Sequence, residues 1–75
     1  MERYKNIGGD SGVSGYEIGD DHIRVKFSTG AVYLYTNASA GAQNIAQMKK
    51  LAVSGTGLNA FINTKVRTAY ARKER

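Results

Sequence analysis

Seventy-five residues make one domain and leave no room for a second; a chain this short buries only about 60% of the surface its unfolded form exposes, so its core is too thin to surround a deep substrate cavity. With no cysteine there is neither a disulfide nor a thiolate metal site. No run of about 18 apolar residues, the length a bilayer needs, occurs, and Met1-Glu2-Arg3-Tyr4-Lys5 leads into no apolar stretch of the signal-peptide kind. The expected location is the cytoplasm, without a membrane partner. The net charge of +5 is unevenly placed: residues 1–40 carry four basic and five acidic side chains, net −1, and residues 41–75 carry seven basic and one acidic, net +6. One basic half suits nucleic acid or another anionic surface; the plainer reading is a solvated, solubilising face.

In chain order, residues 1–12 read as a poorly ordered lead, because Ile7-Gly8-Gly9-Asp10-Ser11-Gly12 offers little to pack. The domain is expected over 13–71. Its first strand, Val13 to Ile18, is broken by Gly15, and Gly19-Asp20-Asp21 is a turn cluster. His22-Ile23-Arg24-Val25-Lys26-Phe27 alternates polar and apolar at period two, the clearest strand pattern in the chain. Ile23, Val25 and Phe27 face a core, and Arg24 and Lys26 face water. Ser28-Thr29-Gly30 turns the chain into a third strand over 31–36. A first helix is expected over 40–52, capped by Ser39, with Ile45, Met48, Leu51 and Ala52 as its buried stripe. Ser54-Gly55-Thr56-Gly57 breaks it. A second helix, capped by Thr56, buries Leu58, Phe61 and Ile62, and Val66 and Tyr70 extend that stripe by a turn or two. Residues 72–75 are expected to fray as a basic tail. Together these elements predict an α+β fold, a three-stranded antiparallel meander followed by two helices packed on one sheet face.

Tyr33-Leu34-Tyr35 follows Phe27-Ser28-Thr29-Gly30-Ala31-Val32, and later come Gly57-Leu58-Asn59-Ala60-Phe61-Ile62-Asn63, Val66-Arg67 and Tyr70. These segments resemble the KTSC domain, a short module found at the C-terminus of some lysyl-tRNA synthetases and alone in small bacterial and phage-like proteins. The resemblance runs from about Val13 to Tyr70. Through the synthetase connection it suggests RNA binding.

The hairpin register decides what the two tyrosines do. A three-residue loop with Gly30 left-handed sets Val25 opposite Tyr33 and Ile23 opposite Tyr35. Both tyrosines then join the core face, and Val32 and Leu34 are left on the open face. A loop of two or four residues flips every side chain. Tyr33 and Tyr35 would then stand beside Arg24 and Lys26, a stacking platform flanked by cations. Thr29 resists positive φ, which favours the three-residue loop.

Two further candidates are a Gly55-Thr56-Gly57 turn that could hold an anion at a helix start, though such a turn more often joins a C-cap to an N-cap, and a basic segment of Lys65, Arg67, Arg72 and Lys73. His22 beside Asp20 and Asp21 is poorly placed for a metal, and no base is paired with a nucleophile. The expected function is therefore a non-enzymatic binding module without cofactor or small-molecule substrate. Its partner is RNA, met by the basic segment, or alternatively a protein or second copy on the Val32–Leu34 face.

Overall fold

The computed structural model describes residues 1–7 and 12–75. At its centre is the hairpin of β3 (His22–Phe27) and β4 (Val32–Thr36). The Phe27 N–H donates to the Ala31 carbonyl at 2.8 Å, and the Gly30 N–H donates to the Phe27 carbonyl at 2.9 Å. Gly30 takes the left-handed conformation that closes this loop, with φ 94°, a region that costs glycine nothing. The resulting register pairs Ile23 with Tyr35, Arg24 with Leu34, Val25 with Tyr33 and Lys26 with Val32. Tyr35 is therefore buried and Tyr33 half-buried on the core side. The platform of exposed tyrosines beside Arg24 and Lys26 does not form.

The expected α+β class holds, with an antiparallel sheet and helices packed on it. The sheet has five strands rather than three, in the order β1-β2-β3-β4-β5. β2 (Val13–Ile18) pairs with β3, with an irregularity between Val13 and Gly15. The two added strands lie at the edges, β1 (Glu2–Arg3) against β2 and β5 (Arg72–Lys73) against β4.

Both edge strands correct an expectation of disorder. On the N-terminal side, Arg3 pairs with Gly15, where an added Cβ would stand 3.0 Å from the Glu2 carbonyl oxygen. The glycine that weakens β2 in isolation makes room for the next strand. Beyond it Tyr4 is buried at 3% exposure, and its hydroxyl accepts the Leu58 N–H at 3.2 Å. The Ile7 N–H donates to the Gly55 carbonyl at 2.7 Å. The glycine-rich part of the expected lead, residues 8–11, lies outside the described residues. On the C-terminal side, the Ala71 N–H donates to the Leu34 carbonyl at 2.6 Å and the Glu74 N–H to the Val32 carbonyl at 2.7 Å. Residues 72–75 satisfy the outward backbone groups of β4, and this is why they do not fray.

Three helical segments cover the opposite side of the core: α1 (Asn37–Ala40), α2 (Ala42–Ser54) and α3 (Leu58–Lys65). Thr36 caps α1, its hydroxyl accepting the Ser39 N–H at 3.0 Å while the Ser39 hydroxyl accepts the Thr36 N–H at 3.0 Å. Ser39 is thus the inner half of a capping box, not the start of the long helix, which begins after Gly41. Thr56 likewise caps nothing; Gly57 occupies the N-cap of α3. Ile45, Met48 and Ala52 of α2 and Leu58 and Ile62 of α3 meet Tyr4, Val13, Ile23, Val25, Tyr35 and Val66 in one cluster. Leu51 and Phe61 pack at its margin. The second helix stops at Lys65 rather than running on to Tyr70.

Tyr4 joins a buried ring to a hydrogen bond that serves α3. Tyr4→Phe leaves the Leu58 N–H unpaired, with an expected loss of about 1 kcal/mol in urea unfolding. Tyr4→Ala also empties the ring's site and is expected to lose roughly 3–5 kcal/mol. Equal, small losses for the two variants would show that the N-terminal segment is no part of the core.

Candidate nucleic-acid interface

After α3 the chain buries Val66, turns, and brings Tyr70 back to the hairpin. This return creates a groove of about 490 Å³ between the β3–β4 loop and the end of α3. Phe27, Tyr33, Tyr35, Asn63, Arg67 and Tyr70 are among the residues lining it. Tyr33 sits at the centre of the aromatic set. Its ring centroid is 5.5 Å from Phe27 and 4.8 Å from Tyr70, at 87° and 72°. Tyr35 and Tyr70 are 6.3 Å apart at 90°. Edge-to-face packing of this kind fixes ring positions through quadrupole complementarity.

Cations flank the groove. Lys73 lies opposite Tyr33 in the β4–β5 register, and its Nζ is 5.9 Å from the Tyr33 ring centroid, within cation–π range. Arg67 is exposed on the lining. Burial, then the nearby Tyr33 and Tyr70, pushes the Tyr35 phenol up to about 12, so its hydroxyl stays protonated and able to donate. Tyr35 is 1% exposed.

The other sheet face carries a chain of ion pairs. Arg24 Nη1 donates to Glu17 at 2.9 Å and Arg24 Nε to Glu74 at 2.8 Å, and Arg72 Nη2 reaches Glu74 at 3.1 Å. These carboxylates hold the Arg24 guanidinium above its ordinary value, the hydrogen bond to Glu74 being the largest cause. Leu34 stands in register between Arg24 on β3 and Arg72 on β5. Leu34 is only 9% exposed and Val32 only 7%. The expected apolar face for a protein partner is thus already covered, because β5 and its charged side chains occupy the space beside β4. His22 also lies here. Its Nδ1 is 3.1 Å from the Asp21 carboxylate and its Nε2 is 3.1 Å from Arg24 Nη1, so both ring nitrogens are engaged. Among the described residues no group of three or more histidine, cysteine or carboxylate side chains could hold a metal ion.

The sequence candidates therefore separate. Tyr33, Tyr35 and Arg67 come together at the groove, and Lys73 stands beside Tyr33. Arg24, Lys26 and Arg72 lie on the opposite face, and Lys65 is exposed at the end of α3. The Gly55-Thr56-Gly57 turn spends donors internally: the Gly55 N–H goes to the Leu51 carbonyl at 3.0 Å, and the first free N–H of α3, on Leu58, goes to Tyr4. Phe27 and Tyr70 join the site from positions that the sequence pattern assigns to a core strand and a helical stripe. Compared with protein-family models, with curated proteins and with solved structures, the chain matches none. No helix among the described residues is long and apolar enough to cross a membrane.

Hydrogen bonds, first from Arg24 and then from Arg72, hold the Glu74 carboxyl below its ordinary value. A carboxyl depressed in the folded state stabilises it above the unfolded pKa and loses that contribution as pH falls through the folded value. Wild type is therefore expected to melt above Glu74→Gln at pH 7. The gap should shrink as pH drops below about 4.3, the ordinary glutamate value. Thermal melts at pH 7 and pH 3 check this; an unchanged gap would mean that the ion pairs do not hold β5.

Proposed function

We propose that this chain is a small, non-enzymatic RNA-binding module of the KTSC type, acting through the groove side of its basic half. The observation that supports this most is the convergence of Tyr33, Tyr70 and Arg67 at one groove, with Lys73 beside the Tyr33 ring. Aromatic rings beside cations are the combination that single-stranded nucleic acids use, rings for bases and cations for phosphates. Lys65, two residues before Arg67, adds to the same stretch. The excess of +6 over residues 41–75 supplies long-range attraction. Arg72, tied to Glu74 on the far face, is not part of this contact surface.

A binding role is also the reading that suits the only histidine, whose two ring nitrogens are already engaged away from the groove. Contact through Val32 and Leu34 is not retained, since both are covered.

Binding of a mixed-sequence ribo-oligonucleotide, followed by fluorescence anisotropy, should weaken steeply from low to physiological salt. Arg67→Gln and Lys73→Gln should each flatten the plot of log affinity against log salt by about 0.7, the change expected when one phosphate fewer is neutralised on a single strand. An affinity that does not change with salt would rule out this mechanism.

A further inference from the structure

We propose that the groove is a pocket for one unpaired base of single-stranded RNA, stacked on Tyr70, with its polar edge toward the Tyr35 hydroxyl and a neighbouring phosphate on Arg67. This rests on the RNA-binding reading above and goes further by naming the part of the RNA that is recognised.

Three features of the groove select the occupant. The first is size. At about 490 Å³ it falls in the range of small-ligand sites, the scale of a single base. The second is the aromatic surface that remains free. Tyr33 and Tyr35 pack against Tyr70 edge-to-face, yet Tyr70 keeps 38% of its surface exposed. A flat π-system can cover that surface.

The third is the polar content of the lining. Tyr35 is 1% exposed and lines the groove, and its hydroxyl forms no hydrogen bond with another described residue. Asn63 adds an amide, and Ser28 and Thr29 add hydroxyls. An apolar side chain seated here would seal polar groups away from water without partners, which is costly. A nucleobase presents donors and acceptors around a flat ring, so it meets both the aromatic and the polar parts of the lining. Arg67 at the groove and Lys73 beside Tyr33 supply the charge that the attached phosphates need. In a duplex the base edges are paired and the faces stacked, so only an unpaired base can enter.

The test compares three forms of one ribo-oligonucleotide at low salt: the single strand, the same strand annealed to its complement, and an abasic version with the same phosphates. Wild type is expected to bind the single strand at least about tenfold tighter than the abasic strand, the size of one stacked base. It should also prefer the single strand to the duplex. Tyr70→Ala should lose that tenfold on the single strand and leave abasic binding unchanged. Tyr35→Phe keeps the ring and should keep the wild-type amide spectrum. It is expected to lose roughly three- to tenfold on the single strand, the value of one hydrogen bond. If single and abasic strands bind equally, and both variants bind like wild type, the base pocket is overturned while phosphate binding stands. If no form binds at low salt, the RNA-binding reading fails and the pocket with it.

Discussion

The left-handed conformation of Gly30 is the constraint on which the rest of the molecule depends. With Gly30 at positive φ, the β3–β4 loop has three residues and one register, and the side-chain period of two does the rest. Ile23, Val25 and Tyr35 enter the core, Tyr33 lines its margin, and Arg24 and Lys26 are turned to the other side. A slip of one residue would turn β4 over against β3. Val32 and Leu34 would replace Tyr33 and Tyr35 beside Ile23 and Val25, and the two tyrosines would stand with Arg24 and Lys26. The loop thus selects which face can bury anything, and the helices follow from that selection.

The same alternation sorts charge from aromaticity on β5. Arg72 pairs with Leu34 and Lys73 with Tyr33, so neighbouring residues serve opposite faces. Arg72 and Glu74 join Arg24 in a network on the face that carries Leu34, and Lys73 reaches the Tyr33 ring. Ion pairs between partly exposed groups contribute little individually. Their importance here is positional, since they tie to β3 the strand that pairs along the edge of β4 and would otherwise leave it open to another chain.

What is legible in the sequence is whatever short-range pattern encodes. The period-two run at 22–27, the breaking glycines at 55 and 57 and the helical stripe of Ile45, Met48 and Ala52 all lead to the right elements, and the refusal of Thr29 to take positive φ leads to the right register. What escapes is pairing across long sequence separation. Nothing local in Glu2-Arg3 or Arg72-Lys73 announces a strand, because each is held by a partner far along the chain. Tyr4 resembles any tyrosine in a polar lead until its hydroxyl is found on Leu58. The groove is half legible: Tyr33, Tyr35, Arg67 and Lys73 stand out as candidates, and the hairpin register parts the tyrosines from Arg24 and Lys26, but no local pattern parts Lys73 from Arg72. Only the position of β5 separates those two. Tyr70 is hidden because its spacing from Val66 fits a helix that ends before reaching it.

The position of β5 between the two faces has a thermodynamic consequence. Tyr70 and Lys73 are carried by the same stretch whose Glu74 is held by Arg24 on the far side of the sheet. An occupant that needs both groups recognises only molecules in which this stretch is docked, and its apparent affinity scales with the fraction of molecules in that state. Linkage works equally in the other direction: whatever fills the groove tightens the strand, and thereby the cover over Val32 and Leu34, without touching either.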